Sequence, residues 1–213
     1  MQPIPATIPR AALVTGGCQP PGLAIAHALA GAGFAVAVAV QCHEDASGNL
    51  PAGTVILPAE LSDETQTADL FGQATAALGP IGVLVNATGK VAPDTWDASA
   101  RAAWDMNIQT NLRAPYSLIQ YFATALRPPH EGVVINLLDQ KINPRLVSYT
   151  LSKAALWTLT QTMALALAPR IRVNGIDAGA ARAGDLDGVA KAAIAILALP
   201  SMTGQIIVPN GLP

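Results

Sequence analysis

The chain has 213 residues, of which 51% are hydrophobic and 12% charged, and its formal net charge is −2. This length suits one domain with a sizeable core, covering residues 1–213. The small net charge gives no electrostatic reason to expect a nucleic acid or an anionic membrane as a partner. A composition this apolar predicts that part of the surface is buried between subunits.

Metal, disulfide and targeting signals are missing from the sequence. Cys18 and Cys42 are too few for a disulfide framework, and together with the histidines they show no metal-ligand spacing. The N-terminal residues lack the features of a signal peptide, and the most apolar stretch, residues 154–168, is too short to span a bilayer. We therefore expect a cytoplasmic protein that has no metal and no membrane contact.

Short apolar strands alternate with helices along the chain. The strands are predicted at residues 11–15, 34–40, 54–57, 83–86, 132–138, 171–176 and 205–208. The helices are predicted at residues 23–31, 63–78, 96–127 (broken near Pro115), 148–168 and 186–198. Strands that are apolar at every position are typical of parallel sheets covered on both faces. The order predicts an α/β fold, a doubly wound parallel sheet of about seven strands of the Rossmann type, with helices on both faces.

Ligands of such sheets bind beyond the carboxyl ends of the strands. Small and polar residues collect at those ends: Thr15, Gly16, Gly17, Gln41, Cys42, His43, Glu60, Leu61, Asn86, Ala87, Thr88, Gly89, Asp139, Asp177, Ala178 and Gly179. Turns in a sheet without a ligand also use these residue types, so a purely structural interpretation stays open at this point.

The turn after the first strand has the glycines of a phosphate-binding loop. Gly16 permits a tight turn, and Gly22 allows the backbone to approach a pyrophosphate at the helix N-terminus. Pro20 replaces the middle glycine of the usual pattern, and Pro21 follows it, which removes two backbone N–H groups. We expect one or two lost donors, each contributing about 1–3 kcal/mol to a charged ligand, and therefore weakened phosphate binding.

Tyr149 and Lys153 stand four residues apart and therefore share one face of a helix. A neighbouring ammonium favours phenolate over phenol. The spacing thus predicts that Lys153 lowers the pKa of Tyr149 and makes it a usable acid/base at neutral pH. Chance often produces such a spacing, so its meaning depends on the rest of the chain.

Further motifs follow one another along nearly the whole chain. They are VTGG at 14–17, GLAIA at 22–26, LVNA at 84–87, NLRAP at 111–115, VINLLD at 134–139, YTLSK at 149–153, IRVNG at 171–175 and MTGQ at 202–205. In this order they resemble the short-chain dehydrogenase/reductase family, most closely its pteridine-reductase and dihydromonapterin-reductase branch.

The resemblance implies hydride transfer with NADP or NAD, with NADP slightly favoured by the branch. Tyr149 would exchange a proton with the substrate, Lys153 would lower its pKa and hold the nicotinamide ribose, and Asn111 would anchor a relay water. Asp139 stands where most members have serine. The residues implied in dinucleotide binding are Thr15, Gly16, Cys18, Gln19, Gly22, Leu23, Gln41, Cys42, Glu60, Leu61, Asn86, Ala87, Lys153 and Gly179. Structural alternatives stay open, since Asn111 could satisfy backbone groups in a helix bend and Asp139 could form a turn.

Several positions depart from the pattern of the branch. Asp139 precedes Tyr149 by a shorter interval than usual, which would draw Asp139 out of line with Tyr149. Cys42 stands where an Arg typically takes the 2′-phosphate of NADP, and Glu60 replaces the usual Asp beside the adenine. Only residues 180–184 separate Gly179 from the next helix, where the family has a substrate-covering loop, so we expect an open active site.

The leading interpretation is an NAD(P)-dependent reductase of a pterin or another carbonyl or imine compound. The alternative is a degenerate member without catalysis that acts as a binding or assembly protein. Helix 148–168 is apolar nearly all round and, with the helix around residues 111–125, resembles the four-helix dimer interface of the family. This predicts a homodimer or homotetramer, although such a central helix could also be buried within one subunit.

Overall fold

A computed structural model describes residues 3–41, 49–97, 101–179 and 185–209. All strands of its sheet are parallel, in the order β3-β2-β1-β4-β5-β6-β7. The strands are β1 (Ala11–Thr15), β2 (Ala35–Val40), β3 (Val55–Pro58), β4 (Val83–Asn86), β5 (Gly132–Leu138), β6 (Ile171–Asp177) and β7 (Ile206–Ile207). The helices are α1 (Gly22–Gly31), α2 (Glu64–Leu78), α3 (Arg101–Ile108), α4 (Ala114–Ala125), α5 (Val147–Leu167) and α6 (Leu186–Ala198). The predicted seven-stranded parallel α/β fold is confirmed.

The sheet separates two apolar layers, because alternate residues of each strand point to opposite faces. In β1, Ala12 and Val14 pack on the side of α1 and α6, while Ala11 and Leu13 pack on the side of α2 and α4. Every residue of β1, β4, β5 and β6 is buried. The loops that follow the carboxyl ends of these strands are less buried, and the site forms there.

The long helical segment before β5 is interrupted just before Pro115, near the predicted break. A π-helical segment, Gln109–Arg113, joins α3 to α4, and Pro115 follows it in the first turn of α4. Proline has no N–H to donate to the carbonyl four residues earlier, which here is that of Asn111, so the regular α-helical bonding is broken at this point. The irregular backbone therefore precedes the proline and contains Asn111.

No helix in the part of the chain that the structure describes is long and apolar enough to cross a lipid bilayer.

Candidate active site

A cavity of about 250 Å³ lies at the carboxyl ends of β4, β5 and β6. It brings together five of the residues predicted from sequence, which are Ala87, Asp139, Tyr149, Lys153 and Gly179. Its remaining lining residues are Pro20, Pro21, Gly89, Leu137, Leu138 and Ala178. The candidate catalytic side chains that follow β5 or belong to α5 therefore line the same cavity as the turn after β1.

Tyr149 and Asp139 are in direct contact across this cavity. The Tyr149 hydroxyl donates to Oδ2 of Asp139 at 3.1 Å, and Oδ1 of Asp139 accepts the Lys141 amide at 3.1 Å. The prediction that the short interval draws Asp139 out of line with Tyr149 is therefore wrong. The bond to Lys141 turns the chain sharply after β5, so fewer residues suffice to reach α5. Asp139 is thus both a turn former and a partner of the phenol.

Gly179 makes room for the Asp139 carboxylate. A Cβ atom at position 179 would lie 2.0 Å from Oδ1 and 2.9 Å from Cα of Asp139. The backbone is held there because the amides of Ala178 and Gly179 both donate to the Leu138 carbonyl, at 3.0 and 3.3 Å. Glycine is therefore needed at position 179, because a side chain there would collide with the Asp139 carboxylate.

The pKa of Tyr149 is raised well above its usual range. Burial of the half-buried phenol is the largest cause, followed by the charge of Asp139, the hydrogen bond to Asp139 and the charge of Asp177. The prediction that Lys153 lowers this pKa is wrong for this geometry, because two carboxylates and burial all favour the neutral phenol. Tyr149 is accordingly a protonated group at neutral pH.

Lys153 is only 4% exposed, and its Nζ donates to the carbonyl oxygen of Leu137 at 3.1 Å. Burial lowers the pKa of this ammonium to about 8, although the charge of Asp139 opposes the shift. A buried lysine with a pKa near neutrality is a common feature of functional sites. Lys153 therefore still carries its charge at pH 7 and loses it just above.

We expect the ε-methylene NMR signal of Lys153 to titrate near pH 8 in the cofactor-free chain, from the lowered pKa. The unfolded chain keeps this proton up to about pH 10.5, the ordinary pKa of a lysine. The contribution of Lys153 to the free energy of unfolding should therefore rise with pH between these two values. Lys191 is the control, because its bond to Asp187 raises its pKa. Titration of Lys153 at or above pH 10.5 would contradict the buried geometry.

The buried carboxamide of Asn111 makes three hydrogen bonds to protein groups. Its Oδ1 accepts the Lys90 amide at 2.8 Å, while its Nδ2 donates to the Lys90 carbonyl at 2.8 Å and to the Ser152 hydroxyl at 3.1 Å. Ser152 in turn donates to the Tyr149 carbonyl at 2.7 Å. Asn111 thereby connects the loop after β4 to the turn of α5 that presents Tyr149.

The same arrangement, which was not predicted from the sequence, occurs one helical turn earlier. Asn107 accepts from the Ala92 amide at 3.0 Å and donates to the Ala92 carbonyl and to Ser148, at 2.8 and 2.7 Å. The buried Asp94 carboxylate also accepts the Ser148 amide, at 3.0 and 3.1 Å. The sequence signal for this arrangement was the four-residue spacing of Asn107 from Asn111, which recurs between Ser148 and Ser152. Together these contacts fix the loop after β4 against α5.

A second cavity, of about 210 Å³, adjoins the turn after β1 and is lined by Gly16, Cys18, Gln19, Pro20, Gln41, Ala87 and Lys90, among others. Gly16 has a φ of 65°, which favours glycine. A Cβ at Gly22 would lie 2.5 Å from the Gly16 carbonyl oxygen, so glycine is needed there for the close approach of α1 to the turn. The amides of Gln19 and Leu23 donate to the carbonyls of Gly16 and Gln19, at 3.3 and 3.0 Å. Besides the two prolines, these two positions therefore offer no free backbone N–H to a phosphate.

A third cavity, of about 40 Å³, lies beside the second at the ends of β2 and β3 and is lined in part by Gln41, Glu60, Leu61, Lys90 and Thr110. Gln41 donates from Nε2 to the Glu60 carboxylate and accepts from the Lys90 ammonium at 3.1 Å. Partial burial opposes ionisation of Glu60, but hydrogen bonds from Ser62 and Gln41 and the charge of Lys90 keep its pKa lowered. This end of the site therefore holds one carboxylate and one ammonium separated by an amide.

Some predicted residues lie behind the cavity walls. The Thr15 hydroxyl accepts the amides of Ala87 and Thr88 at 3.1 and 3.3 Å, and Thr15 is 1% exposed. Asn86 donates to Asn136 at 2.8 Å, and its Oδ1 is a buried acceptor without a partner among the described residues. Leu23 is half-buried in the first turn of α1. The predictions for Cys42 and His43, and for the short connection at 180–184, lie outside the described residues.

Within the described ranges, no three His, Cys, Asp or Glu side chains lie close enough together to hold a metal ion.

Comparison with known proteins identifies the family of the chain. The family model described as short chain dehydrogenase matches residues 10–192. The chain belongs to the short-chain dehydrogenase family. It is thus a member of a family of oxidoreductases.

Individual members of the short-chain dehydrogenase family resemble this chain in sequence and structure. Acetoacetyl-CoA reductase from Shinella zoogloeoides is 30% identical over 80% of this chain and 73% of its own length. A 3-oxoacyl-[acyl-carrier-protein] reductase from Staphylococcus epidermidis is 28% identical over 80% and 74%. The crystal structure of FolM alternative dihydrofolate reductase 1 from Brucella canis, complexed with NADP, superposes with a TM-score of 0.83 at 32% identity, over 93% of this chain and 91% of that one.

Proposed function

We propose that this short-chain dehydrogenase is an NADP(H)- or NAD(H)-dependent reductase of a pterin or another carbonyl or imine compound. The observation that carries the proposal is the meeting of Tyr149, Asp139 and Lys153 in one cavity that continues into the glycine turn after β1. The Brucella canis relative is a dihydrofolate reductase in complex with NADP, which supports both the cofactor and the pterin. The relatives that reduce acetoacetyl-CoA and 3-oxoacyl groups support a carbonyl substrate.

The cavities at the carboxyl edge leave room for a dinucleotide, although the glycine turn offers few backbone donors to its pyrophosphate. Successive cavities extend from Tyr149 past the Gly16 turn to Glu60, and one ammonium lies at each end, Lys153 and Lys90. Gly16 keeps the second cavity clear, since a Cβ there would lie 3.0 Å from the backbone of Thr88. A nicotinamide dinucleotide supplies a hydride to the substrate when bound.

Tyr149 supplies the proton in this proposal. Its raised pKa keeps the phenol protonated at neutral pH, which suits a general acid in the direction of reduction. In the structure its hydrogen is directed at Asp139, so a substrate oxygen or nitrogen has to replace that carboxylate as the acceptor. Asp139 therefore holds the phenol in the cavity until a substrate displaces the bond.

Lys153 and Asn111 position the other groups. The Lys153 ammonium, oriented by the Leu137 carbonyl, would hold the nicotinamide ribose. Asn111 acts through its contacts with Lys90 and Ser152, because its carboxamide is fully buried and both of its N–H donors are used by protein groups. A relay water would bind the main-chain carbonyl of Asn111, because Pro115, four residues on, has no N–H to donate to it.

The test is a titration of the chain with NADPH and NADH followed by tryptophan fluorescence, with acetoacetyl-CoA and dihydrofolate then offered as substrates. We expect saturable binding in the range of about 1 μM to 1 mM and consumption of the reduced cofactor with one of the two substrates. Absence of saturable binding would refute the reductase and favour a degenerate member that acts in binding or assembly.

We also propose that the chain forms a homodimer or homotetramer through α4 and α5. The outer face of α5 exposes Leu151 (48%), Trp157 (37%) and Leu165 (85%), and Tyr121 of α4 is 37% exposed. Apolar side chains on one helical face at this exposure are typical of a surface covered by another subunit.

Replacing Leu165 with aspartate should shift the light-scattering mass toward the 21.8 kDa of one chain, because a charge would be buried in the interface. Ile142→Asp is the control, since Ile142 is similarly exposed at 88% but lies in a loop before α5. A native mass of one chain, or an assembly unaffected by Leu165→Asp, would refute this interface.

A further inference from the structure

Three side chains form a hydrogen-bonded chain across the end of the site opposite Tyr149. The Lys90 ammonium donates to Oε1 of Gln41 at 3.1 Å, and Nε2 of Gln41 donates to the carboxylate of Glu60. Lys90 follows β4, Gln41 follows β2 and Glu60 follows β3. Since the sheet order is β3-β2-β1-β4, the Lys90 side chain reaches across the end of β1. It therefore lies over the same edge as the glycine turn.

The backbone of Lys90 is anchored from both sides. Its amide and its carbonyl are bonded at 2.8 Å to the carboxamide of Asn111, which is fully buried. The ammonium thus extends from a rigid point, and little conformational freedom remains apart from its own side-chain torsions. A cation held in this way is positioned for a ligand.

Lys90 lines both the 210 Å³ cavity and the 40 Å³ cavity. Of the described residues that line these two cavities, Lys90 is the cation and Glu60 is the anion. The ion pairs among the described residues are Arg101–Asp105, Arg113–Glu64 and Lys191–Asp187, so Lys90 belongs to none of them. Its contact with a neutral amide leaves two of its three N–H donors for a ligand.

Glu60 is engaged differently. One oxygen accepts the Ser62 amide at 3.1 Å and the Ser62 hydroxyl at 2.9 Å, and the other accepts from Gln41. Gln41 therefore holds the carboxylate and the ammonium apart, and the ammonium charge is not cancelled by direct contact. A dianionic group in the larger cavity would gain a charge-assisted bond from Lys90. The Glu60 carboxylate lines only the smaller cavity and already accepts hydrogen bonds from Ser62 and Gln41.

We propose that Lys90 binds the 2′-phosphate of NADP(H), which makes the residue after Gly89 the determinant of NADP(H) over NAD(H). This inference rests on the proposed function and names its cofactor. An NAD(H) ribose carries a neutral hydroxyl at the same position and gains no comparable charge interaction. The cation comes from the loop after β4, whereas the branch that the chain resembles typically has an Arg after β2, where this chain has Cys42.

The test compares NADPH with NADH on the native chain, on Lys90→Met and on the control Lys191→Met, each by fluorescence titration. Lys90→Met should raise the dissociation constant of NADPH about 10- to 100-fold, because a hydrogen bond to a charged group is lost, and should change that of NADH less than about threefold. Lys90→Arg should restore most of the preference. Glu60→Gln should tighten NADPH, since a nearby negative charge is removed.

Adenosine 2′,5′-bisphosphate and 5′-AMP isolate the effect at the adenosine end. Lys90→Met should weaken only the bisphosphate. If the variant leaves NADPH binding unchanged, or weakens both cofactors equally, Lys90 does not bind the 2′-phosphate while the reductase assignment stands. If the native chain binds neither cofactor, the proposed function fails and this inference fails with it.

Discussion

Tyr149→Phe should lower kcat for reduction by about 10²- to 10⁴-fold, the usual contribution of a general acid, and leave the dissociation constant of NADPH within about twofold. The substitution removes only the hydroxyl, which donates to Asp139 and would protonate the substrate. The ring and its packing are retained, so the cavity should keep its shape. Steady-state kinetics and fluorescence titration of the same preparation measure the two quantities.

Tyr116→Phe is the matched control for this experiment. The Tyr116 hydroxyl accepts a hydrogen bond from Gln120 at 3.0 Å on the exposed side of α4, away from the lining of the cavity. Its loss should leave kcat unchanged. If Tyr149→Phe retained native kcat, the proton would have to come from another group, and Asp139 would be the first candidate because it lies 3.1 Å from the phenol.

Gly179→Ala should lower kcat by about 10²-fold, the effect of misplacing a reacting group by about 1 Å. The added Cβ would lie 2.0 Å from Oδ1 of Asp139 and 2.9 Å from its Cα, so the carboxylate and the backbone beneath it both have to move. The Tyr149 hydroxyl then loses its acceptor, and the part of its raised pKa that comes from Asp139 decreases. The phenol is no longer held in one orientation.

The control is Gly89→Ala in the same cavity, where the new Cβ would lie 3.6 Å from the Lys153 ammonium, an ordinary contact.

A double-mutant cycle distinguishes an effect of Gly179 on Asp139 and Tyr149 from a general disturbance of the structure. If Gly179 acts through Asp139 and Tyr149, the combined loss in Gly179→Ala/Tyr149→Phe should be much smaller than the product of the single losses. Fully multiplicative losses would show that Gly179 acts elsewhere.

Most of the fold was predictable from local pattern. Strands such as β4 and β5 begin and end at the predicted residues, because an apolar run bounded by turn residues is a local signal. Helix α6 also has its predicted bounds. The break before Pro115 was predicted, because proline lacks the N–H that a helix needs, whereas the π-helical form of that segment was not.

The sequence predicted which residues line the candidate site better than it predicted the contacts that those residues make. Five predicted residues line the main cavity, since the carboxyl ends of parallel strands necessarily meet at one edge. Lys90 was missed because its role comes from its reach to Gln41, which no spacing reveals. Thr15 and Asn111 were predicted as ligand-facing groups, but their side chains hold the protein backbone.

The sequence by itself determined that Tyr149 and Lys153 share a helical face, because helix periodicity depends only on neighbours along the chain. The tertiary structure decided what that pair can do. Asp139 reaches the phenol despite the short interval, because the chain turns sharply after β5 and Gly179 leaves space for the carboxylate. Burial and the charges of Asp139 and Asp177 then raise the pKa of Tyr149, while burial lowers that of Lys153. A pKa depends on the solvent and charges around a group in three dimensions, and these are set by elements that only the folded chain brings together.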